Sequence, residues 1–163
     1  MPENDVPRRA FLGGITAATA LSYSRVSGAN DRIQLGLIGC GERGRGDMGN
    51  FLKAGNVDVA ALCDIYSNQI DQAKRVAPNA QSFTDHRKLL DMQQVDAVLI
   101  GVPDHWHATI AIDALNAKKD VYVEKPLTLK IEEGPPIVKA ARINNRICQV
   151  GMQIGRASCR ERV

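Results

Sequence analysis

The hexapeptide Gly39-Cys40-Gly41-Glu42-Arg43-Gly44 stands directly after the apolar run Ile33-Gln34-Leu35-Gly36-Leu37-Ile38. No other feature of the chain restricts its fold as much. A strand running into G-x-G-x-x-G, then a helix, then an acidic residue about 20 positions further on, is a set of parts with one mechanical use. Gly39 permits the tight turn out of the strand, Gly41 lets the backbone approach a pyrophosphate, and Gly44 lets the following helix pack closely on the sheet. The helix N-terminus then offers free N–H groups and a partial positive charge. Asp64 closes a second apolar run, Val57-Asp58-Val59-Ala60-Ala61-Leu62-Cys63, where its carboxylate is placed to accept hydrogen bonds from ribose hydroxyls. Glu42 and Arg43, inside the turn, complete this group of candidate nucleotide-contacting residues. The competing explanation is a glycine-rich turn in some other α/β protein, which leaves the match in context unaccounted for.

A carboxylate at the ribose predicts NAD. NADP is less favoured, because its 2′-phosphate would meet a like charge, although Arg43 offsets part of it.

The length of 163 residues suits one domain with a proper core, and 44% hydrophobic with 24% charged residues is ordinary for a globular chain. The formal charge of +3 belongs to the ends, since residues 30–153 hold 15 basic and 15 acidic side chains. No basic stripe and no aromatic platform interrupt that balance, so nucleic acid is not an expected partner. Cys40, Cys63 and Cys148 fall at or inside expected strands without C-x-x-C or Cys/His spacing, and read as small buried core residues. The sequence leaves open an oxidised Cys40–Cys63 pair at neighbouring strand ends.

Residues 1–29 read as an address. Arg8-Arg9-Ala10-Phe11-Leu12 precedes a weakly apolar stretch and then Ser27-Gly28-Ala29, which resembles a twin-arginine export signal. The apolar part is too short and too rich in Gly, Ala and Thr for a permanent membrane anchor. The expectation is a mature chain starting near Asn30, folded and loaded with nucleotide before export to the periplasm or beyond. The alternative is a basic leader with a chance arginine pair.

From residue 30 onward the pattern alternates. Helices are expected over 45–54, 67–76, 87–92, 108–116 and 132–145, and strands at 33–38, 57–63, 80–83, 95–100, 120–123 and 147–150. Val95-Asp96-Ala97-Val98-Leu99-Ile100 is the apolar run of a strand buried on both faces. Such alternation predicts an α/β fold with a doubly wound parallel sheet of Rossmann type, with ligands at the C-terminal ends of the strands.

At those ends lie Pro103-Asp104-His105-Trp106-His107 and Glu124-Lys125-Pro126. Together with G-C-G-x-R-G-R-G, A-L-C-D, V-Y-V-E-K-P-L and Q-V-G-M-Q, in this order, they resemble the N-terminal domain of the Gfo/Idh/MocA oxidoreductases over about residues 32–153. The resemblance implies that the E-K-P motif falls on Glu124, Lys125 and Pro126. The family's lysine lies by the nicotinamide and substrate, so Lys125 is the candidate catalytic residue, exchanging a proton with a hydroxyl during hydride transfer. Glu124 would support cofactor and lysine, and Pro126 would follow a cis bond that aims the lysine. The plain alternative for Lys125 is a surface lysine before a turn. The resemblance also places Pro103 and His107 at the cofactor site. Against that stands a helix start packed by Trp106, with His107 near it. His105 and His107 lack further partners at metal-ligating spacing, so no metal is expected. Gln153 is placed near the cleft, and His86 reads as a solvated residue beside a helix start.

Members of the family continue into a second α/β domain with substrate residues, which the sequence lacks. Residues 154–163 depart from the family and resemble an appended artefactual tail; a real basic tail is the alternative. Two function classes follow. The parent would be an NAD-dependent oxidoreductase of a sugar or cyclitol, a homo-oligomer, or its variant, a glycosidase that oxidises and re-reduces its substrate with held NAD. The chain as written would be an inactive nucleotide-binding module, holding NAD weakly for want of the covering domain.

Overall fold

In the computed structural model of the protein, the described residues are 32–152. The expected leader, Gln153 and the tail lie outside them.

Six parallel strands form one sheet: β1 (Ile33–Ile38), β2 (Val57–Cys63), β3 (Gln81–Phe83), β4 (Ala97–Ile100), β5 (Asp120–Glu124) and β6 (Cys148–Gly151). Their spatial order is β3-β2-β1-β4-β5-β6, so the chain runs outward from β1 to one edge, returns, and runs outward to the other. Helices α1 (Glu42–Leu52), α2 (Ser67–Lys74), α3 (His86–Leu90), α4 (Asp104–Asn116) and α5 (Gly134–Asn144) make the crossovers, the last preceded by a 3₁₀ turn at Ile131–Glu133. Parallel neighbours require such crossovers. The expected doubly wound Rossmann architecture is therefore present.

The period-2 alternation of each strand sorts side chains to two cores. Leu35 and Leu37 of β1, Leu62 of β2 and Leu99 of β4 pack with Met48 of α1 and with Ile70 and Ala73 of α2. Ile38, Ala61, Cys63, Val98 and Ile100 face the other way, against Leu89 of α3, Ala108, Ala111 and Leu115 of α4, and Ile137 of α5. Leu37, Leu62, Leu99, Val98 and Ile100 are fully buried, which explains the near-continuous apolar runs of the central strands.

Two helices begin earlier than their apolar periodicity predicts. The first starts at Glu42 rather than 45, directly behind Gly41, and the fourth at Asp104 rather than 108, directly behind Pro103. Their first turns are polar because they face the open end of the sheet. At the opposite end, the buried Lys119 ammonium donates to Met92 O at 2.8 Å and Val95 O at 2.7 Å, closing the loop before β4. Burial pushes that amine below its ordinary value. Among the described residues no helix is long and apolar enough to cross a membrane.

Candidate active site

The glycine turn is built as its spacing requires. Gly39 has φ +90°, and its N–H donates to Cys63 O at 2.8 Å. A Cβ at Gly39 would lie 2.5 Å from Gly101 O, and one at Gly44 only 2.1 Å from Gly39 O. Real contacts never come so close, so helix α1, the turn and the β4 end pack backbone on backbone. Gly41 differs, because a Cβ there meets nothing within 4 Å. Its open side lies directly before the N-terminus of α1, the kind of place where an anion such as a pyrophosphate is favoured.

Asp64 anchors this turn. Its Oδ2 accepts from the Cys40 N–H at 2.7 Å and its Oδ1 from the Tyr66 N–H at 2.9 Å. Each oxygen retains a lone pair for a ribose hydroxyl. A groove of about 470 Å³ opens over these groups, lined by Gly39, Gly41, Asp64, Tyr66, Pro103 and Trp106 among others. It spans the C-terminal ends of β2, β1 and β4.

The other expected residues fall into two sets. Glu42 is an exposed acidic residue in the first turn of α1. Lys125 and Pro126 lie at the end of β5, one strand beyond the groove, both exposed and joined by a cis peptide bond. Arg43 turns toward β5, where Nη2 donates to Glu124 Oε1 at 2.8 Å. The guanidinium beside the Asp64 end is instead that of Arg45, which donates to Cys40 O and to Gln69 Oε1. Arg45 and Gln69 were not legible as site residues: Arg45 stands in the glycine motif, but no spacing rule gives its partner, and only the fold brings α1 and α2 together at the turn.

His107 is 1% exposed, so it does not line the groove. Its Nδ1 lies 2.6 Å from Pro126 O and its Nε2 2.9 Å from Val102 O. The ring is a strut tying the first turn of α4 to the ends of β4 and β5, so it sets where Lys125 is presented. Replacing it with alanine removes both contacts and leaves a cavity. His107→Ala is expected to cost about 2 kcal/mol of stability, measured by urea unfolding. His86 corrects the sequence reading, for its side chain is only 11% exposed and pairs with Asp113 Oδ2 at 2.9 Å. The Asp113 partner, on α4, is 27 residues away.

Cys40 and Cys63 are free and buried. Burial, then the Asp64 carboxylate, pushes each thiol up to about 12. Both should therefore resist iodoacetamide at pH 8 in the folded protein while reacting in urea, as peptide mass mapping would show. Among the described residues, no group of three or more His, Cys, Asp or Glu is placed to hold a metal ion.

Residues 33–152 match the family model described as an oxidoreductase family with an NAD-binding Rossmann fold, GFO_IDH_MocA. The chain belongs to this family. An α-N-acetylgalactosaminidase of Shewanella oneidensis is 33% identical over 127 residues, 72% of this chain and 28% of that protein. A myo-inositol 2-dehydrogenase from Lactobacillus plantarum superposes with a TM-score of 0.67 at 30% identity, covering 74% of this chain and 36% of that one. The WlbA dehydrogenase of Chromobacterium violaceum, solved with NADH and UDP-GlcNAcA, superposes with a TM-score of 0.69 at 26% identity, covering 74% and 35%. The chain thus spans under a third of the curated relative's length. As a family member it supplies an NAD-binding oxidoreductase domain with a nicotinamide cofactor.

Proposed function

We propose that the groove binds NAD in preference to NADP, and that the longer protein to which this domain belongs moves a hydride between the nicotinamide and a hydroxyl-bearing carbon of a sugar or cyclitol. The observation that carries this reading is the Asp64 carboxylate at the end of β2, fixed against the glycine turn by the Cys40 and Tyr66 N–H groups. Gly41 and the α1 N-terminus would hold the pyrophosphate, Asp64 the adenosine ribose, and Pro103 the wall of the groove beyond it. When bound, the nicotinamide supplies or accepts the hydride. The chain's own part is to orient the reactants and to move a proton, and Lys125, exposed at the next strand end, is the group offered to a substrate hydroxyl. Glu124 and His107 hold the segment that carries it.

The similar dehydrogenases, one of myo-inositol and one solved with UDP-GlcNAcA, support a sugar-related substrate. A second reading is favoured by the α-N-acetylgalactosaminidase, namely a glycosidase that oxidises its substrate and returns the hydride. Product analysis of the longer protein separates them: stoichiometric NADH with an oxidised sugar supports the dehydrogenase, and a released sugar without net NADH supports the glycosidase. Isothermal titration with NAD and NADP tests the role of Asp64, and tighter binding of NADP would overturn it. Export through a twin-arginine pathway remains part of the proposal on the strength of Arg8 and Arg9, and an intact Met1 on exported protein would contradict cleavage near Asn30.

A further inference from the structure

The glycine turn and the strand end bearing Lys125 are joined by one charged cluster, a half-exposed arginine on two buried carboxylates. Arg43, two residues past the Gly41 cap, sends Nη2 to Glu124 Oε1 at 2.8 Å, while its Nε lies 2.9 Å from Asp47 Oδ2. Glu124 and Asp47 are only 4% and 5% exposed. They sit on different elements, Asp47 one turn along α1 and Glu124 at the end of β5. The Glu124 carboxylate lies over β6. A Cβ at Gly151 on β6 would lie 2.3 Å from its Oε1 and 2.8 Å from Tyr122 Oη, so the carboxylate fills the space over the neighbouring strand. The Tyr122 ring is itself set edge-on to Phe51 of α1, centroids 5.1 Å apart.

Two buried carboxylates share one guanidinium. Burial and the nearby Glu124 charge hold the Asp47 carboxyl above its ordinary value. Burial also works to raise Glu124, but the hydrogen bond and charge of Arg43 outweigh it and hold that group below its ordinary value. Glu124 is accordingly the anionic partner, and losing Arg43 would remove the countercharge of a buried carboxylate, which is costly. The next residue along the chain is Lys125.

We propose that Arg43 is a positioning residue that clasps the glycine turn to the Glu124-Lys125 strand end, so that a ligand seated on the turn fixes the placement of Lys125. This rests on the reading of the groove as a nucleotide site. A pyrophosphate over the first turn of α1 orders the residues that carry the guanidinium, and the guanidinium holds the carboxylate next to the lysine. The path is one hydrogen-bonded pair joining two rigid elements, short enough to carry a coupling between sites.

ADP provides the test, because it offers a pyrophosphate and an adenosine but has no nicotinamide half to touch Lys125. Amide hydrogen exchange is followed in the whole chain with and without saturating ADP. The expected result is slowed exchange at residues 39–47 together with slowing of about fivefold or more at 122–127, the lower end of ordinary coupling between sites. Arg43→Gln should keep the protection at 39–47 and lose that at 122–127, and Arg43→Lys, which retains one charged donor, should recover part of it. Should Arg43→Gln fail to fold, Glu124→Gln weakens the same pair from the other end by removing its negative charge and should give the same separation. Protection of 39–47 alone in the unmodified protein would overturn the clasp while leaving the nucleotide site intact. Undiminished protection at 122–127 in the Arg43→Gln or Glu124→Gln protein would overturn it too. Absence of protection anywhere would overturn the nucleotide reading and the clasp with it.

Discussion

Gly44→Ala is expected to lower stability by about 4 kcal/mol, above the usual cost of overpacking, and to abolish nucleotide binding. The reason is where the added methyl would have to go. It would sit 2.1 Å from the Gly39 carbonyl oxygen and 3.2 Å from Leu37 Cδ1. Leu37 is fully buried, and Gly39 holds φ +90° with its N–H on Cys63 O, so neither neighbour yields cheaply. Relief requires helix α1 to lift from the sheet. That movement draws its N-terminus away from the glycine turn and opens the Met48 contact beneath. Gly46, two residues on, is the control, because a Cβ there meets nothing within 4 Å. Gly46→Ala, at an exposed helical position, should gain up to about 1 kcal/mol from helix propensity. Urea unfolding of the two variants checks the pair, and equal midpoints would show that the close approach at Gly44 is not a constraint.

Lys125→Ala in the longer protein should reduce turnover by about 10²- to 10⁴-fold, the range for loss of a positioned acid or base. NADH affinity should change little, because Lys125 lies one strand beyond the groove and does not line it. The effect should fall on kcat more than on KM, as expected when a group acts in the transition state. Added primary amines should recover part of the rate. Near-normal kcat would remove Lys125 from the mechanism and leave it a surface lysine.

The legible and illegible parts of this molecule divide along a physical line. Local rules were enough for β1 and β2, whose bounds follow from apolar runs ended by a glycine and an aspartate, and for the roles of Gly39 and Gly44, which spacing alone assigns. Helix starts at Glu42 and Asp104 were hidden. Both first turns are polar, and neither Gly41 nor Pro103 makes the side-chain capping bond that marks a helix start in sequence. His107 was recognisable as a site residue but not as a strut, since its two carbonyl partners come from the ends of different strands. The Arg43–Glu124 pair spans 81 residues and His86–Asp113 spans 27. No periodicity or motif spacing announces a contact that exists only once the sheet order β1-β4-β5 has formed.

The central claim is that the groove over Gly41 and Asp64 holds a nicotinamide dinucleotide. Trp106, the one tryptophan of the chain, lines that groove and is a built-in reporter. Excitation of Trp106 while NADH is titrated should give sensitised NADH emission that saturates, with Kd between about 10 μM and a few mM, and that ADP displaces. Emission that rises without saturating, or that ADP does not displace, would contradict the assignment of this groove.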